Sequence, residues 1–245
     1  MTSIKIITIG QLPFQLDSSK LKQFKSNLFS VQDEIEQLTL NRNSDHRDWT
    51  YSDVTLRDQV PKPNNDGILF AIVNVPIEDN YFTRRLEDNV VVFTFHEIRE
   101  ILSQENIPLE NIILRLLFVY SLIFKQNGNL LPPMSDIKNY MHDEARGCLF
   151  DMCGIKSEIC YSCVSPKICN ECAGNLNNNR ISLDVVNKTK AELRKIRKPL
   201  FYRIYDFVKE HPILSLIFSA LSAIFLGSLG SLIANWLYEY FKNSA

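Results

Sequence analysis

The sequence predicts an α/β (α+β) head, a small cysteine-rich module and one C-terminal transmembrane helix. Three observations predict it. Apolar runs at residues 68–75 and 90–95 alternate with stretches of helical periodicity in the first half of the chain. All six cysteines fall between Cys148 and Cys172. No charged residue interrupts positions 212–238. The expected divisions are residues 1–134 for the head, 135–180 for the cysteine-rich module, 181–210 for a basic helical linker and 211–238 for the span.

Residues 3–9 read as a strand and carry no basic n-region of a signal peptide, so the head is expected to stay in the cytosol. Asp17, Ser18 and Ser19 offer an N-cap to a helix with Leu21, Phe24 and Leu28 on one face. Val31, Ile35 and Leu38 predict a second helix over 31–40. Residues 41–66 are polar and rich in Asn, Asp and Pro, which predicts a long loop or flap with turn chemistry around 61–67. The runs 68–75 and 90–95 predict strands buried on both faces, and the polar stretch 78–89 between them predicts a hairpin connection or edge strand. A helix over 96–103 and a central, mostly covered helix over 109–124 follow. The latter is too short, and Arg115 too polar, for a second membrane span. Ser135 can cap a short helix ended by Gly147. After Cys172, a polar link over 175–180 leads to a basic helix over 183–198, which Pro199 breaks.

The apolar tail is long enough to cross a bilayer. Residues 213–233 span about 31 Å at roughly 1.5 Å per residue, matching a hydrocarbon core about 30 Å thick. Their twelve Leu, Ile and Phe residues favour insertion by roughly −4 to −7 kcal/mol before the Ser and Gly contributions. Phe201, Tyr202 and Tyr205 on one side, and Trp236, Tyr238 and Tyr240 on the other, suit interfacial belts. Arg194, Lys195, Arg197, Lys198, Arg203 and Lys209 precede the span, whereas only Lys242 follows it, which predicts a cytosolic head. Ser215, Ser219, Ala223, Gly227 and Ser231 recur every four residues, a spacing that lets helices approach closely and predicts a homo-oligomer.

Charge narrows the partners further. Residues 1–187 hold 18 basic and 24 acidic side chains, a net of −6, whereas residues 188–209 hold eight Lys or Arg against Glu192 and Asp206. No nucleic-acid partner is expected for such a head. The basic block beside the tail points to anionic membrane lipid. The protein partner is left open.

The cysteine spacing is C-x4-C-x6-C-x2-C-x5-C-x2-C. A framework of disulfides would spread through a small secreted domain, whereas clustering in a cytosolic head argues for metal. Cys169 and Cys172 form the best turn for bringing two thiolates onto one ion, and Cys148 with Cys153 lies at a suitable distance upstream. The predicted structural Zn2+ ligands are Cys148, Cys169 and Cys172, with Cys153 as the fourth and His142 as its competitor. Free buried thiols and redox chemistry are the competing readings of the cluster.

The run from His142 to Cys153, HDEARGCLFDMC, followed by Cys169-x2-Cys172, resembles the end of the archaemetzincin metallopeptidases. The resemblance covers about residues 68–172. It implies a zincin-like scaffold with a structural zinc on the four cysteines, and puts the helix over 109–124 where the active helix lies. That helix holds no histidine, Gly147 stands at the family's third catalytic zinc ligand, and Ile155 stands at its turn methionine. His96-Glu97-Ile98-Arg99-Glu100 lacks the second histidine of a zincin signature. The resemblance therefore implies scaffold and structural zinc, not catalysis.

No glycine-rich phosphate loop or nucleophile triad is recognisable. His46 reads as a solvated loop histidine, His96 as a helix-opening residue and His211 as interfacial, with a minor acid/base reading for His142, Asp143 and Glu144. The expected function is a membrane-anchored, non-catalytic interaction or regulatory module. Its layout suits a bacterial stress or defence component by organisational analogy. A divergent membrane-anchored zinc peptidase or other hydrolase is the alternative.

Overall fold

The computed structural model describes residues 1–32, 34–63, 67–132, 134, 140–142 and 145–243. The chain forms two compact units, Met1–Arg197 and Lys198–Ala245. The first is a mixed α/β unit built on one six-stranded sheet. Its centre is three parallel strands, β1 (Thr2–Ile9), β4 (Ile68–Val73) and β6 (Val90–Thr94). Between the last two in sequence comes β5 (Thr83–Arg85), which pairs antiparallel with β6 and closes that edge.

All the side chains of β4 and β6 are buried. Parallel strands covered on both faces read as continuous apolar runs, which is why these two were legible. The period of two then sorts them. Ile4, Ile6, Phe70, Ile72, Val91 and Phe93 face the larger core, while Ile7, Ile9, Leu69, Ala71, Val73 and Val92 face the smaller one. The larger core is filled by α4 (Leu109–Gln126), in which every side chain from Glu110 to Phe124 is buried. An apolar helix covered on all sides is a core helix. The two polar residues of its first turn are answered. Glu110 accepts from the Asp17 N–H at 2.9 Å, and the Asn111 amide donates to the Cys163 carbonyl at 2.9 Å.

The helix expected over 31–40 is instead two short strands. β2 (Phe29–Val31) pairs with Thr2–Ile4, and β3 (Glu36–Leu38) pairs with Ile7–Ile9, both parallel to β1. The open edge of β1 needs hydrogen-bond partners, and that tertiary demand overrides a three-residue helical pattern. The expected loop over 41–66 contains α2 (Asp53–Gln59), whose N-cap Ser52 accepts from the Thr55 N–H. Its buried Leu56 covers the second face of the sheet.

Gly67 enters β4 where a Cβ would run into the Ser3 carbonyl of neighbouring β1, so the close approach of these strands requires glycine there. Between β1 and β2, α1 (Ser18–Gln23) has the expected Asp17 cap. The helix expected at 96–103 is α3 (Ile98–Gln104). The expected Ser135 helix, Asp143 and Glu144, and the turn at 64–66 lie outside the described residues.

The cysteine-bearing segment packs onto the same core. Cys148, Leu149, Phe150, Cys153, Ile159 and Cys163 are buried there with α4. It carries α5 (Ile159–Val164) and α6 (Asn170–Asn178), so the polar link expected over 175–180 is largely the end of a helix. α7 (Leu183–Leu193) closes the unit. Its buried Glu192 accepts from Ser26 Oγ at 2.6 Å and from the Asn27 N–H at 2.8 Å, which pins it to the strand-entry loop.

The second unit is α8 (Leu200–Glu210) followed by α9 (Pro212–Asn243). Within α9, Pro212–Tyr240 is 29 residues long and apolar enough to cross a membrane, and none of its most apolar stretch is buried.

Candidate metal centre

Four donors converge in the first unit. His142, Cys148, Cys169 and Cys172 each offer an atom, and these atoms all lie within 4.8 Å of one another. His142 Nε2 is 3.1 Å from Cys172 Sγ, 3.4 Å from Cys148 Sγ and 3.6 Å from Cys169 Sγ. Cys148 Sγ and Cys172 Sγ are 3.8 Å apart. A tetrahedral ion with Zn–S near 2.3 Å and Zn–N near 2.0 Å needs S···S edges of about 3.8 Å and S···N edges of about 3.5 Å. Three of these four edges lie close to that polyhedron, and the His142–Cys172 edge is shorter. They are far too long for a disulfide, whose sulfurs sit about 2.05 Å apart, and all six cysteines are free. The cluster can hold a metal ion.

Local sequence explains each position. Gly147 has φ +81°, a left-handed turn that glycine takes without a Cβ penalty, and it delivers Cys148 into the core. There the Lys167 N–H donates to the Gly147 carbonyl at 2.9 Å, and the Leu149 N–H donates to the Lys167 carbonyl at 2.8 Å. Cys169 is the N-cap of α6, and its sulfur accepts from the Cys172 N–H at 3.4 Å. A helix N-terminus leaves backbone N–H groups free to point at the capping residue's sulfur. His142 is brought alongside by a short parallel bridge to Asp151. Its N–H donates to the Phe150 carbonyl at 2.9 Å, and its carbonyl accepts from the Met152 N–H at 3.1 Å.

The thiols share a proton unevenly. Cys148 is lowered to about 4, first because the Cys172 thiol donates to it, with burial opposing. Cys172 is pushed far up for the same reason, as the partner that keeps the proton. A bound cation takes the place of that proton, since it binds the deprotonated ligands.

Of the five residues predicted as ligands, the structure brings together four. Cys153 stands apart, and His142 takes the fourth corner. The His142–Asp151 bridge holds the loop so that the chain has turned away by residue 153, where Cys153 has φ +51°. Its sulfur faces the Asp151 carbonyl at 3.5 Å and the Arg115 guanidinium at 3.8 Å. Burial pushes its thiol up to about 11. Cys163 is fully buried and burial pushes its thiol up as well. Both are core thiols in this fold.

In the sequence, Arg115 is only a polar interruption of the central helix. It is buried, and its Nη2 donates to the carbonyls of Leu149 at 3.2 Å and Asp151 at 3.4 Å. It thereby clasps the loop that follows Cys148 to α4. An Arg inside an otherwise apolar run was the available signal.

A second constellation lies beyond the carboxyl ends of β4 and β6, where ligands commonly sit on parallel sheets. A cavity of about 370 Å³ there is lined by His46, Asp48, Asp79, Asn80, His96 and Glu97, among others. The two histidines thus meet in one cavity, although no sequence feature joined them. Asp79, however, is bonded to Arg84 at 2.8 Å, and Glu97 to Lys156 at 2.5 Å, the latter holding its carboxyl below the usual range. Arg84 also donates a bidentate pair of bonds to Asp53. Burial pulls its pKa down, and the bonds and charge of Asp53, with Asp79 and Glu78, more than offset that. Among the described residues, no other group of three or more His, Cys, Asp or Glu converges as the cysteine cluster does.

Comparison with protein-family models, with curated proteins and with solved structures finds no match to this chain.

Proposed function

We propose that this chain is a single-pass, membrane-anchored protein whose cytosolic head carries structural zinc on Cys148, Cys169, Cys172 and His142 and works as a non-catalytic interaction or regulatory module. The observation that carries the reading is the convergence of those four donor atoms, all within 4.8 Å of one another. Three thiolates and one imidazole suit zinc over hard cations, which prefer oxygen. Four protein ligands close the shell, and a closed shell supplies folding energy without an open water position.

The zincin-like scaffold belongs to the same reading. Zincin hydrolysis needs a metal with an open position and a general base beside it. In place of those ligands, α4 offers a continuous buried apolar surface. The anchor reading rests on α9, and the cytosolic orientation on the basic residues that precede it. Self-association through Ser215, Ser219, Ala223, Gly227 and Ser231 remains part of the proposal.

The test is metal analysis of the detergent-purified full chain. One tightly held zinc per chain, membrane recovery that resists alkaline carbonate, and no turnover of peptide substrates are expected. A zinc-free or freely soluble protein contradicts the reading. The hydrolase alternative draws its support from the cavity shared by His46 and His96. It requires a second, exchangeable metal that disappears, together with activity, in His96→Ala.

A further inference from the structure

The helix between head and anchor has an unexplained surface. α8 is strongly amphipathic. At 3.6 residues per turn, Leu200, Phe201, Ile204, Tyr205, Phe207 and Val208 fall on one arc, and Tyr202, Arg203, Asp206, Lys209 and Glu210 on the other. All six residues of the apolar arc are exposed, Phe201 at 72% and Leu200 at 66%. The backbone dictates a break before α9. His211 sits at φ −131°, ψ 61°, and Pro212 has no N–H with which to continue the ladder. The joint is nevertheless satisfied, since the His211 N–H donates to the Phe207 carbonyl at 2.9 Å and the His211 carbonyl accepts from the Ser215 N–H at 3.0 Å.

We propose that α8 lies in the plane of the membrane, its apolar arc sunk in the headgroup–acyl boundary of the bilayer that α9 crosses. This rests on the anchor reading of α9. Three features choose lipid as the occupant. A single residue joins α8 to the span, so all of its roughly 16 Å length is tethered at the bilayer surface. Four of its eleven residues are Phe or Tyr, the side chains suited to that depth. On the polar arc, Asp206 is neutralised by Lys198 at 2.7 Å, while Arg203 and Lys209 offer charge to anionic headgroups.

The full chain carrying Trp49→Phe is reconstituted into phosphatidylcholine–phosphatidylserine vesicles, with bromine placed high or low on the acyl chains. Trp236 then reports the anchor. In a Trp236→Phe background, Ile204→Trp reports the apolar arc and Lys209→Trp the polar arc. Roughly twofold or stronger quenching of Ile204→Trp by the shallow bromines than of Lys209→Trp is expected for an interfacial helix. Equal, weak quenching at both positions while Trp236 is quenched overturns the proposal and leaves the anchor standing. Blue-shifted but unquenched emission from Ile204→Trp means that protein, such as a second copy, covers the arc, and also overturns it. An unquenched Trp236 sinks the anchor and this inference together.

Discussion

Two regions of the head collect histidine with other metal-capable side chains, and they are built differently. In the cysteine cluster the donors point at one another, with His142 Nε2 within 3.6 Å of three sulfurs. In the cavity of His46 and His96 the acids point outward to cations that already hold them, Asp79 to Arg84 and Glu97 to Lys156. His96 Nε2 is 4.0 Å from Glu97 Oε1, and among the described residues no third donor closes on that pair to make a site. Both places hold side chains able to bind a metal, thiols with one imidazole in the first and imidazoles with carboxylates in the second. Convergence is what separates a site from a solvated loop, and convergence is set by the hydrogen-bonded loops that carry the donors.

The comparison can be broken most forcefully at the cluster. Cys148→Ser or His142→Ala is expected to abolish stoichiometric metal and lower the melting temperature of the head more than any other change considered. Structural zinc supplies up to about 10–16 kcal/mol in small peptides, and a head with its own sheet core loses part of that. Cys153→Ala, in contrast, should keep one metal per chain and cost only about 1–2 kcal/mol as a small core cavity. Metal analysis beside thermal unfolding reads both. Loss of metal from Cys153→Ala with retention in His142→Ala would reverse the assignment.

Arg115→Ala comes next. It removes the clasp on the Leu149 and Asp151 carbonyls and opens a cavity in α4. The expected loss is about 3–5 kcal/mol in urea unfolding, together with weaker metal retention during chelator challenge. A change below about 1 kcal/mol would show that the clasp contributes little.

At the cavity, His46→Ala and His96→Ala should leave metal content unchanged and stability within about 0.5 kcal/mol. The smallest expected effect is in acid. Asp45 sits beside that cavity's loop, and its carboxyl is held down from 3.8 to about 2, first by the Ser52 hydroxyl and then by the Ser52 N–H. A depressed folded value means that the contribution is full above about pH 4 and is lost as pH falls through about 2. Asp45→Asn should therefore flatten a shallow acid limb in pH-dependent melting, and an unchanged limb would remove Asp45 from the account.

The same contrast explains what was legible in the sequence. β4, β6, α4 and the apolar α9 announce themselves because burial on all sides, or length, writes a pattern into consecutive residues. β2 and β3 did not, because their conformation answers the open edge of β1, whose paired residues lie 27 or 29 positions away in sequence. The cysteines at 148, 169 and 172 could be chosen from spacing and from the C-x2-C turn. The choice between Cys153 and His142 could not, since it depends on a two-residue bridge between His142 and Asp151 that no spacing rule encodes. Arg115 was visible as an oddity in an apolar run, but its role required knowing which carbonyls lie beneath it.

X-ray absorption at the zinc edge of the full-length chain measures the first shell directly. Three sulfurs near 2.3 Å and one nitrogen near 2.0 Å are expected for Cys148, Cys169, Cys172 and His142. Four sulfurs would restore Cys153 to the shell, and an oxygen-dominated shell or no bound zinc would contradict the account altogether.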